Sequence, residues 1–171
     1  ARQFLNERRI KVVTTPQTQD VPTVSSQTPK REKPEHLTHL WGSTLTPKTN
    51  PRIKLRGKLD SFQALLIAAI IEVKSQGYFE LAQDLKELLS YVRQILAAEV
   101  KGEPLPSLTW RGYSEEAIHK FSHSPQEQFG IGHLMPDPGQ GKIMAALNCL
   151  RTKIREVELC AVETFCKGEA V

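Results

Sequence analysis

The chain is short of several things that define whole classes of protein. It has three cysteines in 171 residues, an odd and small number that cannot make a disulfide framework. A reduced, intracellular setting is therefore the default expectation. Its longest apolar run, Ala64 to Ile71, is far below the ~20 residues that cross a bilayer. The start, Ala1-Arg2-Gln3-Phe4, lacks the charged region and apolar stretch of a signal peptide. Aromatic residues are only 6% of the chain, too few for a base-stacking surface. Hydrophobic residues are only 39%, low for a globular domain. Net charge is +4, a mild excess of cations that suits an anionic small ligand as well as a polynucleotide. No repeat is visible.

The low apolar share has a local cause. From Thr14 to Pro47 the chain is rich in Thr, Ser, Gln and Pro and shows no period of 2 or 3.6. Such a stretch cannot bury enough apolar area to offset its chain entropy. Residues 14–36 are read as a flexible linker, residues 1–13 as the remnant of a small module, and residues 37–171 as an all-α antiparallel bundle of four to five helices, truncated at its C-terminus. Asp60-Ser-Phe-Gln63 resembles a capping box opening a helix over 62–75, apolar on nearly every side and ended by Gly77. Leu81, Leu85, Leu88, Leu89, Val92, Ile95 and Leu96 predict an amphipathic helix over 78–100. Ser114 caps a short helix to about Phe121. The last helix is predicted over 142–167.

That last helix carries two stripes. Ile143, Leu147, Leu150, Ile154, Val157 and Ala161 form a bundle seam. Asn148, Arg151, Arg155 and Glu158 form a polar stripe beside it, within ~80° of arc. On position alone this is a wet face with an Arg155–Glu158 pair. Its place beside the seam, just after a Gly/Pro loop and Lys142, points instead to a half-buried anion site, since helix N-termini and arginines both bind phosphate. A second basic cluster, Lys48, Arg52, Lys54, Arg56 and Lys58, reads equally as a phosphate clamp, a nucleic-acid edge or the wet face of a strand.

Other motifs fail. Gly139-Gln-Gly-Lys142 is not a phosphate-binding P-loop: Pro136 stands where its first glycine belongs, and Ile143 where a hydroxyl must hold Mg²⁺. His119 and His123 share a helix face with no third ligand in view. Cys149 and Cys160 read as packing residues. There is no Ser–His–Asp order.

Several segments, in order, resemble the ethanolamine-utilisation corrinoid adenosyltransferases. They are Lys33-Pro-Glu-His-Leu-Thr-His-Leu40, Asn50-Pro-Arg-Ile-Lys-Leu-Arg-Gly-Lys-Leu-Asp-Ser61, Gly102-Glu-Pro-Leu105, Ser114 to His123, His133-Leu-Met-Pro136 and Leu147 to Glu158. The last is also similar, more distantly, to the propanediol-utilisation type through Ala146-Leu147, Arg151, Arg155 and Glu158. The resemblance implies transfer of the 5′-deoxyadenosyl group of ATP to Co(I) of cobalamin with release of triphosphate. It implies that Lys48 and Lys142 contact the triphosphate, that Arg151 and Arg155 hold phosphate oxygens with Glu158 placing the nucleoside or Arg155, and that Asn148 lines the same pocket. It further implies that Asp60 pairs with Arg151 across two helices, in competition with the cap reading, and that Phe129, His133, Leu134 and Pro136 face the corrin. Mg²⁺, a flavin reductant, a homo-oligomer (dimer or trimer) and a cytoplasmic or microcompartment location follow from the same resemblance, with neither nucleic acid nor membrane as partner. Many members carry a His and a cysteine cluster before the Lys33-Pro34 segment, and it binds a divalent metal. Val21 to Lys33 has neither Cys nor His here, so no metal of that kind is expected. The competing readings are a basic nucleic-acid-binding module and a non-catalytic helical scaffold.

Overall fold

The first long helix starts where its backbone chemistry allows. Asn50 is the N-cap, its side-chain oxygen accepting from the Arg52 N–H, and Pro51 takes the first helical position, where no N–H is needed. This structure is a computed structural model that describes residues 33–132 and 134–166. The chain divides into two units, Ala1–Lys33 and Pro34–Val171, and the description concerns the second. The readings of residues 1–13 and 14–32 as module remnant and linker lie outside the described residues, as does His133.

A small hairpin leads in. Strand β1 (Leu37–Trp41) pairs antiparallel with β2 (Thr44–Pro47), with Thr38 opposite Thr46 and His39 opposite Leu45. The two-residue turn places Gly42 at φ 49°, the left-handed region that glycine enters without strain. Over 37–47 this replaces the aperiodic polar segment expected from composition.

Helix α1 (Pro51–Ser75) is central to the described bundle. Helix α2 (Phe79–Lys101) packs on one flank and α5 (Gly141–Phe165) on another. Between them lie the short helices α3 (Glu115–His123) and α4 (Pro125–Phe129) and a 3₁₀ turn, Pro138–Gln140. The fold is thus helical with five α-helices among the described residues, as expected. The core is built at steps of three and four along α1: Leu55, Leu59, Phe62, Leu66, Ala69 and Val73. It meets Leu85, Leu89 and Val92 of α2 and Leu150, Val157 and Cys160 of α5. Each such large side chain contributes about 1.5–3 kcal/mol by leaving water.

The Asp60 capping box is not there. Asp60 sits mid-helix and exposed on α1, nine residues inside a helix that begins at Pro51. The third side of α1 is also open rather than buried: Ile67 and Ile71 are 42% and 65% exposed. Ser114 does cap α3, accepting from the Ala117 N–H.

Candidate functional site

The loop before α5 is shaped by Asp137. Its carboxylate accepts from the Gly139 N–H at 2.8 Å, while Gln140 Oε1 accepts from the Asp137 N–H at 2.8 Å. Gly141, at φ 82°, then turns the chain into α5. The first turn of α5 has no side-chain cap and no acidic residue. Lys142 stands there, largely exposed, with Nζ 4.0 Å from Glu72 Oε1. Together they line the end of an α1–α5 groove of about 390 Å³, walled by Ala68, Ala69, Ala145, Ala146 and Cys149. Cys149 is thus exposed at a groove, not packed; Cys160 is in the core.

The polar stripe exists, but its surroundings differ from expectation. Arg151 is tied along its own helix, donating from Nε and Nη2 to Asn148 Oδ1 at 3.1 and 3.0 Å. Arg151, Arg155 and Glu158 are exposed and Asn148 is half-buried. The expected Arg155–Glu158 pair is not formed, and no Asp60–Arg151 pair is formed within the chain. The side of α5 that meets α1 carries Lys142, Ala145, Cys149, Glu156 and Thr164. At ~100° per residue the stripe's centre lies roughly 145° from it. The stripe therefore opposes the buried side instead of bordering it. The expected seam is displaced for the same reason: Ile154 is 39% exposed, because among the described residues α5 packs mainly on one long helix, α1.

The two lysines do not meet within one copy. Pro51 O accepts from Thr164 Oγ1 and Glu72 approaches Lys142, so α1 and α5 are antiparallel. Lys48 lies beyond one end and Lys142 at the other. Twenty-one residues of helix, at ~1.5 Å each, keep them about 32 Å apart, more than one triphosphate spans.

The second basic cluster is mostly occupied. Apart from Lys48 it is on helix α1 rather than a strand, and Arg52 and Arg56 pair with Glu99, Lys54 with Glu163, and Lys58 with Glu156. Glu163 raises the Lys54 pKa through its hydrogen bond and its charge. Glu156 is held down to about 2 by hydrogen bonds from Lys58 and Lys153. The observation that suggested a nucleic-acid edge therefore has a structural explanation.

On the expected corrin side, Phe129 ends α4 with its ring 5.7 Å from Phe121, which in turn packs edge-on to Tyr113 at 5.0 Å. Leu134 and Pro136 are exposed. His119 and His123 stack at 4.0 Å. Among the described residues no cluster of three or more His, Cys, Asp or Glu could hold a metal ion.

Sequence reasoning missed Glu99. Its side chain is 5% exposed and receives both Arg52 and Arg56. The available signal was two arginines four apart on one helix, which present two guanidiniums to the same neighbour.

The comparisons with known proteins agree with the motifs. The chain is 36% identical over 137 residues to corrinoid adenosyltransferase EutT of Escherichia coli (strain K12) and 34% identical to that of Salmonella typhimurium (strain LT2), covering 80% of this chain and 50% of each relative. The chain thus spans about half the length of the curated relatives it matches. No solved structure matches. Residues 29–171 match the model of the cobalamin adenosyltransferase family, and with that match over most of its length the chain belongs to this family.

Proposed function

We propose that the chain is the bundle of an ATP:corrinoid adenosyltransferase that serves ethanolamine utilisation. In the reaction the C5′–O bond of ATP breaks, a cobalt–carbon bond forms from Co(I), and triphosphate leaves. The observation that carries this reading is the Arg151/Arg155 stripe on α5, exposed and beside an open apolar edge at Ile154, within a chain that belongs to the cobalamin adenosyltransferase family.

The stripe works as a phosphate grip only when covered, because guanidinium–phosphate pairs gain strength as water is excluded. One copy leaves it bare and keeps Lys48 and Lys142 apart. A homo-oligomer, dimer or trimer, resolves both. The open face of α1, with Asp60 between Ile67 and the helix start, covers α5 of the next copy and brings Asp60 to Arg151. Lys48 of one copy and Lys142 of another then reach one triphosphate.

Within that site Arg151 and Arg155 neutralise charge that develops on the leaving triphosphate. Asn148 orients Arg151, and Glu158 positions the nucleoside. Phe129, His133, Leu134 and Pro136 cover the corrin and keep water from the cobalt. Burial and the loss of the lower axial ligand are the means by which a protein eases reduction to Co(I). Mg²⁺ would enter with ATP and would help to neutralise charge on the leaving triphosphate. A flavin supplies the electron, in the cytoplasm or a microcompartment.

The test is ATP-dependent conversion of reduced cobalamin to adenosylcobalamin, followed spectroscopically under strong reduction. Conversion that needs both ATP and this protein supports the reading; none, with full-length protein, refutes it.

A further inference from the structure

At the Lys48 end of the bundle, a carboxylate with 5% exposure organises four segments of chain. Glu99, near the end of α2, accepts from Arg52 Nη1 at 3.1 Å and from Arg56 Nε. Each arginine then reaches past α1. Arg56 Nη2 donates to the Leu40 carbonyl in β1 at 3.0 Å. The Arg52 guanidinium lies 4.9 Å from the ring centre of Trp41 in β1 and 4.9 Å from that of Phe165 in α5. The hairpin is therefore fastened to the helices through one acid.

The tether continues to Lys48. The Lys48 N–H donates to the His36 carbonyl at 2.9 Å, at the foot of β1. On the other side, Asn50 Nδ2 donates to Thr46 Oγ1 at 2.8 Å, and Asn50 caps α1. The Lys48 backbone is thus fixed from both sides while its side chain is exposed. Arg52 and Arg56 keep their places because a charge between them cancels their repulsion. Without it, two guanidiniums 31% and 16% exposed would face each other with little water to screen them.

We propose that Glu99 is a positioning residue for nucleotide binding: through Arg52 and Arg56 it sets the hairpin, and so aims Lys48 at the triphosphate. This role rests on the reading of Lys48 as a triphosphate ligand. It differs from simple stapling of the fold, which would weaken binding of ATP and corrinoid alike.

The experiment compares full-length wild type with Glu99→Gln, Lys48→Ala, the double variant and Arg56→Lys. Glu99→Gln removes the charge at constant shape. Arg56→Lys keeps the charge but cannot span Glu99 and Leu40, and it serves if Glu99→Gln folds poorly. Readouts are the MgATP Kd by calorimetry, KM for ATP and for cobalamin, kcat, and amide exchange over residues 37–50. Glu99→Gln and Arg56→Lys are expected to raise the ATP Kd and KM about tenfold, with cobalamin KM and kcat within about twofold. Hairpin amides should exchange faster, and Glu99→Gln should add nothing in the Lys48→Ala background. Additive losses in the double variant, or wild-type ATP binding in Glu99→Gln or Lys48→Ala, overturn the role. Wild-type protein that binds no MgATP overturns the functional reading itself, and this role with it.

Discussion

Lys58 Nζ lies 2.7 Å from Glu156 Oε2, joining α1 to α5 across their exposed edge. Lys153, one turn before Glu156 on the same helix, donates to the same oxygen at 2.9 Å. Two ammonium groups hold the Glu156 carboxyl at about 2, below its ordinary 4.5.

The sign of the resulting pH dependence is fixed. A lowered folded-state pKa means that the unfolded chain binds the proton first. The stabilisation is complete above about pH 4.5 and is lost as pH falls toward about 2. Glu156→Gln, which mimics the protonated acid, should therefore match wild type near pH 2 and have a slightly lower Tm above about pH 4.5, a small effect because exposed pairs contribute little. Equal acid slopes for wild type and variant would remove Glu156 from the account.

Arg155→Ala should cost at least about tenfold in turnover, the scale of one lost charge-assisted contact in the transition state. Far-UV circular dichroism should not change, because Arg155 has no side-chain partner among the described residues. Turnover near that of wild type would reduce the stripe to a wetted surface.

Leu66→Ala tests the centre of the bundle. Leu66 is 0% exposed on α1, and truncation of such a leucine costs about 2–5 kcal/mol. Urea unfolding should show a lower midpoint at unchanged slope. A loss under about 1 kcal/mol would mean that the site collapses around the vacancy.

Metal dependence separates a metal carried by nucleotide from a resident one. Activity removed by EDTA should return with Mg²⁺ alone, and chelators selective for Zn²⁺ or Fe²⁺ should leave it intact. Activity that Zn²⁺ restores and Mg²⁺ does not would show a structural metal.

The fold is legible in the sequence where one helix face is apolar and the other polar. Leu85, Leu89 and Val92 announce α2, and Leu150 and Val157 announce α5. The start of α1 is harder to read, because Ile53-Lys-Leu-Arg56 alternates like a strand and Asp60-Ser-Phe-Gln63 imitates a cap. Asn50-Pro51 was the true signal. The hairpin escapes notice since, of its strand residues, only Thr46 is buried, leaving no apolar alternation to detect. The stripe of Asn148, Arg151, Arg155 and Glu158 is plain in the sequence. Which way it faces is not, because that depends on which side of α5 meets α1. Glu99 is hidden for a similar reason: its partners are 43 and 47 residues away.

The connections between helices also set an order of events during synthesis. Residues 76–78 alone join α1 to α2, whereas 39 residues, 102–140, separate α2 from α5. The α1–α2 pair is a local contact that closes early, and the α5 contact is a distant one that closes late. A ribosome adding about 5–20 residues per second therefore releases the helical pair seconds before its third wall exists. Leu65 and Ala69 stay wet for that interval, so the growing chain is most prone to aggregate while its tail is still being made.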